Sequence, residues 1–325
     1  MTAIDRALFK RVDLETADAV IDELLPYRGE HLWPNRGEER AWLFRGQFDA
    51  AWGLRPSAMR PGAVSRFVAG QTVPIQRDAV TVQERLRLEH FMVMNFAVGC
   101  DRAGYHLPGD TPRLRAEARA EAGGPFAPTD FPPVRYRGLY ALAQHYGVPT
   151  RLVDWTPRPF VAAYFSCVRA AEEHMGCNQR NTIVERTSPR CAIWALSEQA
   201  LEVVTVGSDP TVAIVTAPAA LVPNLAAQAG RFTLVHYRGD STECHRDDPP
   251  DLDALLRDRQ VDEQHTCCTP VLYQFTYPAN QARRLLYLLS FLDVSAASIY
   301  PGQASVEQMM FERTLMLGPA YSPTG

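Results

Sequence analysis

Lysine is almost absent from this chain of 325 residues: Lys10 is the only one, and arginine supplies the other positive charges. A Gly-x-x-x-x-Gly-Lys phosphate loop is therefore excluded. The Gly-x-Ser-x-Gly and His-Glu-x-x-His motifs are missing too, and Gly123-Gly124 does not follow a predicted strand. These absences exclude P-loop nucleotide hydrolases, α/β-hydrolases with the usual elbow, helix-based zinc proteases and the Gly-rich dinucleotide fingerprint.

Long apolar runs are also lacking, since no stretch approaches the ~20 residues of a membrane span. Residues 1–6 lack the basic start and apolar core of a secretory signal. The seven cysteines are odd in number and scattered, which argues against a disulfide framework. We therefore expect a reduced, cytoplasmic protein with no membrane association. The net charge of -4 gives no whole-chain signal for nucleic acid.

Helical spacing of apolar residues dominates the first half of the chain, and strand-like runs dominate the second. This order predicts an α+β fold with a mixed or antiparallel sheet as its core. We expect a helical lead-in over residues 1–40, one domain over residues 41–315 and a tail over residues 316–325. Insertions are predicted near residues 101–134 and 238–269, where the composition turns to Gly, Pro and charged residues.

The clearest single helix is predicted over residues 81–100, where Thr81 and Glu84 have the spacing of a capping box. Further helices are predicted near residues 135–146, 157–171, 280–292 and 305–315. Strands are predicted near residues 41–47, 191–196, 211–215, 231–237 and 271–277.

A dense polar run over residues 144–156 precedes an apolar helix and predicts a ligand site. His145 and Tyr146 are expected to contact a base or ribose, although His145 also suits a helix C-terminus. Thr156 either binds the ligand or caps the helix that follows. Thr150 and Arg151 are further candidate binding groups.

Arg45 follows an apolar strand and precedes Gly46, and its guanidinium suits bidentate contact with phosphate. Gln47 is a second candidate on the same strand. Asp154 is expected to pair with Arg45 or Arg151, or to act directly on a substrate. A purely structural Arg45–Asp154 ion pair is the alternative interpretation.

Histidines and cysteines are frequent between residues 236 and 268, but their spacing matches no regular zinc site. Adjacent Cys267 and Cys268 cannot easily both bind one tetrahedral ion. We therefore predict no metal.

Three segments, taken together, resemble the FRG domain, a family named after an early Phe-Arg-Gly. The first is Phe44-Arg45-Gly46-Gln47, followed by Trp52 and by residues 55–57. The second is the run over residues 144–156, and the third covers residues 226–233. Residues 299–302 are similar to the closing turn of the family. The resemblance spans roughly residues 40–310 in the order of the family's motifs.

A weaker resemblance links the same segments to ADP-ribosyltransferases, and it implies split sheets with NAD as the substrate. It carries Arg45, Asp154 and Gln228 over as catalytic groups. Gln228 stands where those enzymes have Glu, and a neutral amide carries no charge to stabilise a cation. The binding groups that the resemblance implies are Arg45, Gln47, His145, Tyr146, Thr150, Arg151 and Thr156.

Together, the two resemblances imply an NAD-binding or nucleotide-binding enzyme, either an ADP-ribosyltransferase or an NAD glycohydrolase. Its target would be a macromolecule, protein or nucleic acid, and the context would be a toxin or a phage-defence effector. The alternative is a non-catalytic module that senses a nucleotide or peptide together with a regulatory partner protein.

Overall fold

The computed structural model describes residues 7–26, 28–33, 41–64, 67, 81–119, 126–174, 187–205, 210–216, 230–237, 248–259, 270–300 and 302–317. These residues form an α+β fold with two separate β-sheets, so the predicted fold class is confirmed. Among them, none of the helices combines the length and the apolar character that crossing a bilayer requires.

The first sheet contains four strands in the order β1-β7-β4-β2. β1 and β7 run parallel, whereas the other neighbours run antiparallel. The two central strands are buried along nearly their whole length, as expected where both faces of a sheet are covered. The strands are β1 (Phe9–Asp13), β2 (Trp42–Gln47), β4 (Arg190–Ser197) and β7 (Leu272–Pro278).

The second sheet is antiparallel and contains three strands in the order β3-β6-β5. Its buried residues Val215, Phe232 and Leu234 belong to a hydrophobic core separate from that of the first sheet's helix-covered face. The strands are β3 (Val153–Trp155), β5 (Val212–Thr216) and β6 (Arg231–Val235).

A backbone bridge connects the edges of the two sheets. β2 is an edge strand of the first sheet and β3 is an edge strand of the second. Phe44 and Thr156 form an antiparallel bridge between them. The Phe44 amide donates to the Thr156 carbonyl at 2.7 Å, and the Thr156 amide donates back at 2.9 Å. The two sheets therefore meet edge to edge at the point where the candidate motifs lie.

Helices cover one face of the first sheet and form the largest core with it. β2 and α5 (Pro159–His174) approach each other closely at Gly46. A Cβ at this position would lie 1.9 Å from the Ala162 carbonyl oxygen and 2.6 Å from the Ser166 amide nitrogen. Glycine is thus required by close packing. These helices are α1 (Ala17–Leu24), α5 (Pro159–His174), α8 (Ala282–Ser290), α9 (Ala296–Ile299) and α10 (Ala304–Leu317).

The second core lies between the second sheet and three helices, α2 (Val82–Arg102), α3 (Pro112–Arg119) and α4 (Arg137–His145). The predicted capping box of α2 is confirmed: the Thr81 hydroxyl accepts from the Glu84 amide, and the Glu84 carboxylate accepts from the Thr81 amide. α4 ends where Gly147 adopts a φ of 84°, a conformation that favours glycine. Two shorter helices, α6 (Glu198–Thr205) and α7 (Leu252–Arg257), complete the fold.

Three stretches differ from the sequence prediction. The segment predicted as a helical lead-in contains β1 before its helix, and β1 pairs with β7 more than two hundred residues away. The stretch near residues 101–134, predicted as a surface insertion, buries Leu107, Leu114 and Phe131 in the second core. Within residues 238–269, α7 buries Leu252, Leu255 and Leu256. The two predicted insertions therefore contribute to the packed interior.

Two buried histidines in or beside the second core predict how stability depends on pH. Burial lowers the pKa of His90 to about 4, and burial together with Arg137 and Arg151 lowers the pKa of His236 to about 4. In the unfolded chain both protonate near pH ~6.5. Between these values the unfolded state binds more protons. Acidification from about pH 6.5 to 4 should therefore destabilise the fold by up to ~1.4 kcal/mol per pH unit for each histidine.

Urea unfolding measures the free energy of unfolding across this pH range. In His90→Gln, the slope of this free energy against pH should be lower than in the wild type by the equivalent of about one proton. His106→Gln is the matched control, because the exposed His106 side chain changes its surroundings little on folding. An unchanged slope in His90→Gln would contradict the prediction.

Candidate functional site

A cleft of about 380 Å³ lies where the two sheets meet. Its walls come from the first two motifs, from the start of α5 and from β6. The lining residues are Phe44, Arg45, Gly46, Gln47, Phe48, Trp52, Arg60, Gln144, His145, Asp154, Trp155, Thr156, Ala162, Phe165, Gly230, Phe232 and Tyr300.

Arg45 and Asp154 form the central pair of this cleft. Arg45 Nη1 lies 2.5 Å from Asp154 Oδ1 and donates to the Asp154 carbonyl oxygen at 3.0 Å. Only 14% of the Arg45 side chain is exposed. Its Nε is buried and has no hydrogen-bond partner among the described residues. A buried donor without a partner is costly unless a ligand satisfies it.

Asp154 owes its position to the strand alternation of β3. Val153 and Trp155 are buried, so Asp154 between them points to the opposite side, where 60% of its side chain is exposed. Desolvation in the cleft acts to raise the pKa of Asp154, but the charge and hydrogen bond of Arg45 outweigh it and lower the pKa overall. The group is therefore a carboxylate at neutral pH.

Gln144 and Thr150 orient this carboxylate from behind. Gln144 Nε2 donates to Asp154 Oδ1 at 3.3 Å, and the Thr150 hydroxyl donates to Gln144 Oε1. Thr150 is fully buried and also accepts from the Leu152 amide at 3.3 Å. Thr150 therefore positions Gln144, and it does not line the cleft. Gln144 was not among the predicted ligand groups, although it begins the polar run.

His145 lines the cleft, whereas Tyr146 does not. Burial lowers the pKa of His145 in opposition to the nearby Asp154 charge, so the imidazole is neutral at neutral pH. Tyr146 is 59% exposed, and its ring stacks on Phe96 at 5.9 Å between centroids. Of the two neighbours, only His145 is placed to contact a ligand in this cleft.

Gln47 and Thr156 line the cleft but already have internal partners. Gln47 Nε2 donates to the Gly53 carbonyl oxygen at 3.2 Å, and its Oε1 accepts from Trp194 at 2.8 Å. The Thr156 hydroxyl accepts from the Arg158 amide at 3.1 Å, close to the start of α5. The capping interpretation of Thr156 thus has a direct geometric basis.

Arg151 lies outside the cleft, in contrast to its predicted role. Its side chain is 2% exposed and forms a two-pronged ion pair with Glu89, at 3.0 Å from Nε and 2.9 Å from Nη2. Its guanidinium also lies over the rings of Phe131 and Tyr237. These contacts hold Arg151 in the interior, so we no longer count it among the binding groups.

Arg60 was missed in the sequence and lies opposite Arg45. It follows a short 3-10 helix, Ser57–Met59, and donates from Nε and Nη2 to the Arg55 carbonyl oxygen. Desolvation and the Arg45 charge lower the pKa of Arg60, and Asp154 opposes them. The guanidinium still carries its charge at neutral pH. Two cations thus face one carboxylate, and the cleft favours an anion.

Gln228 lies outside the described residues, together with the rest of the first half of the third motif, residues 226–229. The described end of that motif does reach the cleft, since Gly230 and Phe232 line it. Of the histidines and cysteines considered for zinc, the structure describes only His236, which is buried. No metal-binding cluster occurs within the described parts of the chain.

A family model of the FRG domain matches residues 113–175. The matched segment includes α4, the polar run over residues 144–156 and all of α5, so it carries Asp154 and one wall of the cleft. The resemblance to the FRG domain is thereby confirmed for residues 113–175, and the segments around Phe44 and over residues 226–233 lie outside the match. Comparisons with curated proteins and with solved structures gave no match.

Proposed function

We propose that this FRG-domain protein binds NAD or a related nucleotide in the cleft and acts as an ADP-ribosyltransferase-like enzyme. The observation that carries the proposal is the Arg45–Asp154 pair. A cation and a carboxylate lie 2.5 Å apart in a partly enclosed cleft between two sheet edges. A substrate with an anionic phosphate and a cationic nicotinamide ring complements this pair of charges.

Arg45 would hold the phosphate, because its guanidinium lines the cleft and its second terminal nitrogen can donate to a phosphate oxygen. Arg45 and Gln144 both contact Asp154 Oδ1, so Oδ2 is the carboxylate oxygen that we assign to the substrate. Oδ2 would therefore face the developing oxocarbenium ion and stabilise its positive charge. In this way Asp154 supplies the negative charge that Gln228 lacks.

The proposed reaction breaks the bond between the ribose C1′ and the nicotinamide nitrogen. The bonding electron pair leaves with nicotinamide, which becomes neutral. An oxygen of water or of a macromolecular acceptor forms the new bond to C1′, and its proton passes to solvent. The neutral His145 would contact the departing base or its ribose. A role as a toxin or phage-defence effector would follow from modification of such an acceptor.

A non-catalytic sensing module is the second candidate function. It is favoured by one sequence observation, the neutral Gln228 at the position where ADP-ribosyltransferases carry Glu. Without that charge the cleft would still bind an anionic nucleotide through Arg45 and Arg60 and would pass the signal to a partner protein.

The test is to incubate the purified full chain with NAD and to quantify released nicotinamide. We expect Arg45→Ala and Asp154→Asn each to lower the rate by about a hundredfold or more, as for loss of one electrostatic catalytic group. Gln228→Ala belongs to the same series. Arg284→Ala and Asp18→Asn are matched controls, because they disrupt an exposed ion pair on α8 and α1, and their rates should change by less than about twofold.

The outcomes separate the candidates. Release of nicotinamide that disappears in the Arg45 and Asp154 variants supports the enzyme. No release, combined with a rise in Tm when NAD is added, supports the sensing module. Neither release nor a rise in Tm would overturn the NAD proposal.

A further inference from the structure

A second cavity of about 620 Å³ adjoins the cleft. It shares four lining side chains with the cleft, namely Arg45, Arg60, Gln144 and Asp154. The remaining lining residues come from the turn after β2 and from the loop between α4 and β3. They are Arg55, Ser57, Pro61, Gly62, Ala63, Gly147, Val148, Pro149, Leu152 and Val153.

Positive charge concentrates where the two cavities meet. Three arginines line the second cavity, whereas Asp154 is its one lining carboxylate among the described residues and is already paired with Arg45. Arg55 and Arg60 form no ion pair among the described residues, although Asp251 is close enough to interact with both. Three guanidinium groups against two nearby carboxylates, Asp154 and Asp251, leave a net positive charge, so this junction favours an anion.

The guanidinium groups at the junction are held in place by backbone oxygens. Arg55 Nε donates to the Met59 carbonyl oxygen at 2.8 Å. Arg60 donates from Nε and Nη2 to the Arg55 carbonyl oxygen at 3.3 and 3.1 Å. These bonds fix both side chains and leave other N–H groups to meet a ligand.

Beyond the junction, the second cavity has a largely apolar wall that includes Pro61, Ala63 and Pro149, whereas the side chains of Val148, Leu152 and Val153 are buried in the hydrophobic cores. Ser57 adds a polar group, but its hydroxyl is engaged with the Thr150 carbonyl oxygen at 3.1 Å. An apolar wall beside fixed cations suits a flat, weakly polar group attached to phosphate, such as a purine ring.

We infer that the ligand is a dinucleotide that spans both cavities, with its pyrophosphate at the junction between Arg45 and Arg60 and one nucleoside on each side. Arg55 touches only the second cavity and therefore determines specificity for the second nucleotide. This inference rests on the proposed function insofar as NAD is the dinucleotide. It adds the site of the second half and the residues that recognise it.

The test compares the affinities of four probes by isothermal titration calorimetry: NAD, nicotinamide mononucleotide, AMP and diadenosine pyrophosphate. For the wild type we expect both dinucleotides to bind at least about tenfold more tightly than either mononucleotide. Arg55→Gln should lower the affinities for NAD and AMP by about tenfold and leave the affinity for nicotinamide mononucleotide unchanged. Ala63→Trp, which fills the second cavity, should act in the same direction. Arg28→Gln, at a distant exposed ion pair, is the control.

The inference would be overturned if Arg55→Gln lowered the affinities for NAD and for nicotinamide mononucleotide to a similar extent. It would also be overturned if neither Arg55→Gln nor Ala63→Trp lowered the affinity for NAD. Both results would leave the proposed function intact. Binding of diadenosine pyrophosphate without binding of NAD would keep the dinucleotide inference and overturn the NAD proposal. Binding of neither dinucleotide would overturn both. Thermal unfolding of each variant confirms that a loss of affinity is not a loss of fold.

Discussion

Arg151→Met, with Glu89 left in place, is expected to lower the free energy of unfolding by about 3–5 kcal/mol. The Glu89 and Arg151 side chains are only 4% and 2% exposed. Glu89 Oε2 accepts two bonds from the guanidinium, and Oε1 accepts from the Arg151 amide at 2.9 Å. Removing the guanidinium leaves a buried carboxylate without its counter-ion. Urea denaturation at neutral pH measures the loss.

A second substitution shows whether the loss of stability comes from the unpaired Glu89 carboxylate or from lost packing. Adding Glu89→Gln to Arg151→Met should recover most of the stability, because the amide is neutral and its oxygen can still accept from the backbone at residue 151. Arg28→Met serves as the control, since the Arg28–Asp22 pair is exposed and should contribute less than ~1 kcal/mol. A loss in Arg151→Met no larger than in this control would refute the argument.

Gly46→Ala is the other substitution with a large expected effect, about 3 kcal/mol or more of unfolding free energy. The new Cβ would meet the Ala162 carbonyl oxygen and the Ser166 amide, both backbone atoms of α5, which cannot rotate away. β2 and α5 would have to separate, and both line the cleft. Chemical denaturation with circular dichroism measures the loss.

The matched control is Gly99→Ala, on the exposed side of α2. A Cβ there has open space around it, so helix propensity should raise stability by ~0.5–1 kcal/mol. Ala162→Gly should not rescue Gly46→Ala, because the clash is with a carbonyl oxygen that glycine retains. Equal effects of the two glycine substitutions would show that β2 and α5 can move apart at little cost.

Local signals in the sequence predicted much of the fold. The capping box of Thr81 and Glu84 is complete within four residues, and it fixes the start of α2. Gly147 likewise marks the end of α4. β1 was missed because its five residues carry little apolar alternation, and their partner in β7 lies at the far end of the chain.

The candidate site was predicted in part. The sequence motifs predicted Arg45 and Asp154 as site residues, and the two side chains are in direct contact. Arg151 could not be assigned correctly because its partner Glu89 is 62 residues away and carries no motif. Arg60 was missed for a related reason: it follows an unremarkable turn, and only the tertiary fold places it opposite Arg45. Pairings between distant residues set these roles, and spacing along the chain does not encode them.

The bridge between Phe44 and Thr156 constrains how the cleft can move. Both residues are buried, so pulling the two sheet edges apart would break two shielded backbone hydrogen bonds at about 1–3 kcal/mol each. A further hydrophobic core, to which β2 contributes Leu43 and β3 contributes Val153 and Trp155, reinforces this junction. Arg45 follows Phe44 directly and Asp154 lies two residues before Thr156, so we expect this junction to set the distance between the two charged groups before any ligand binds.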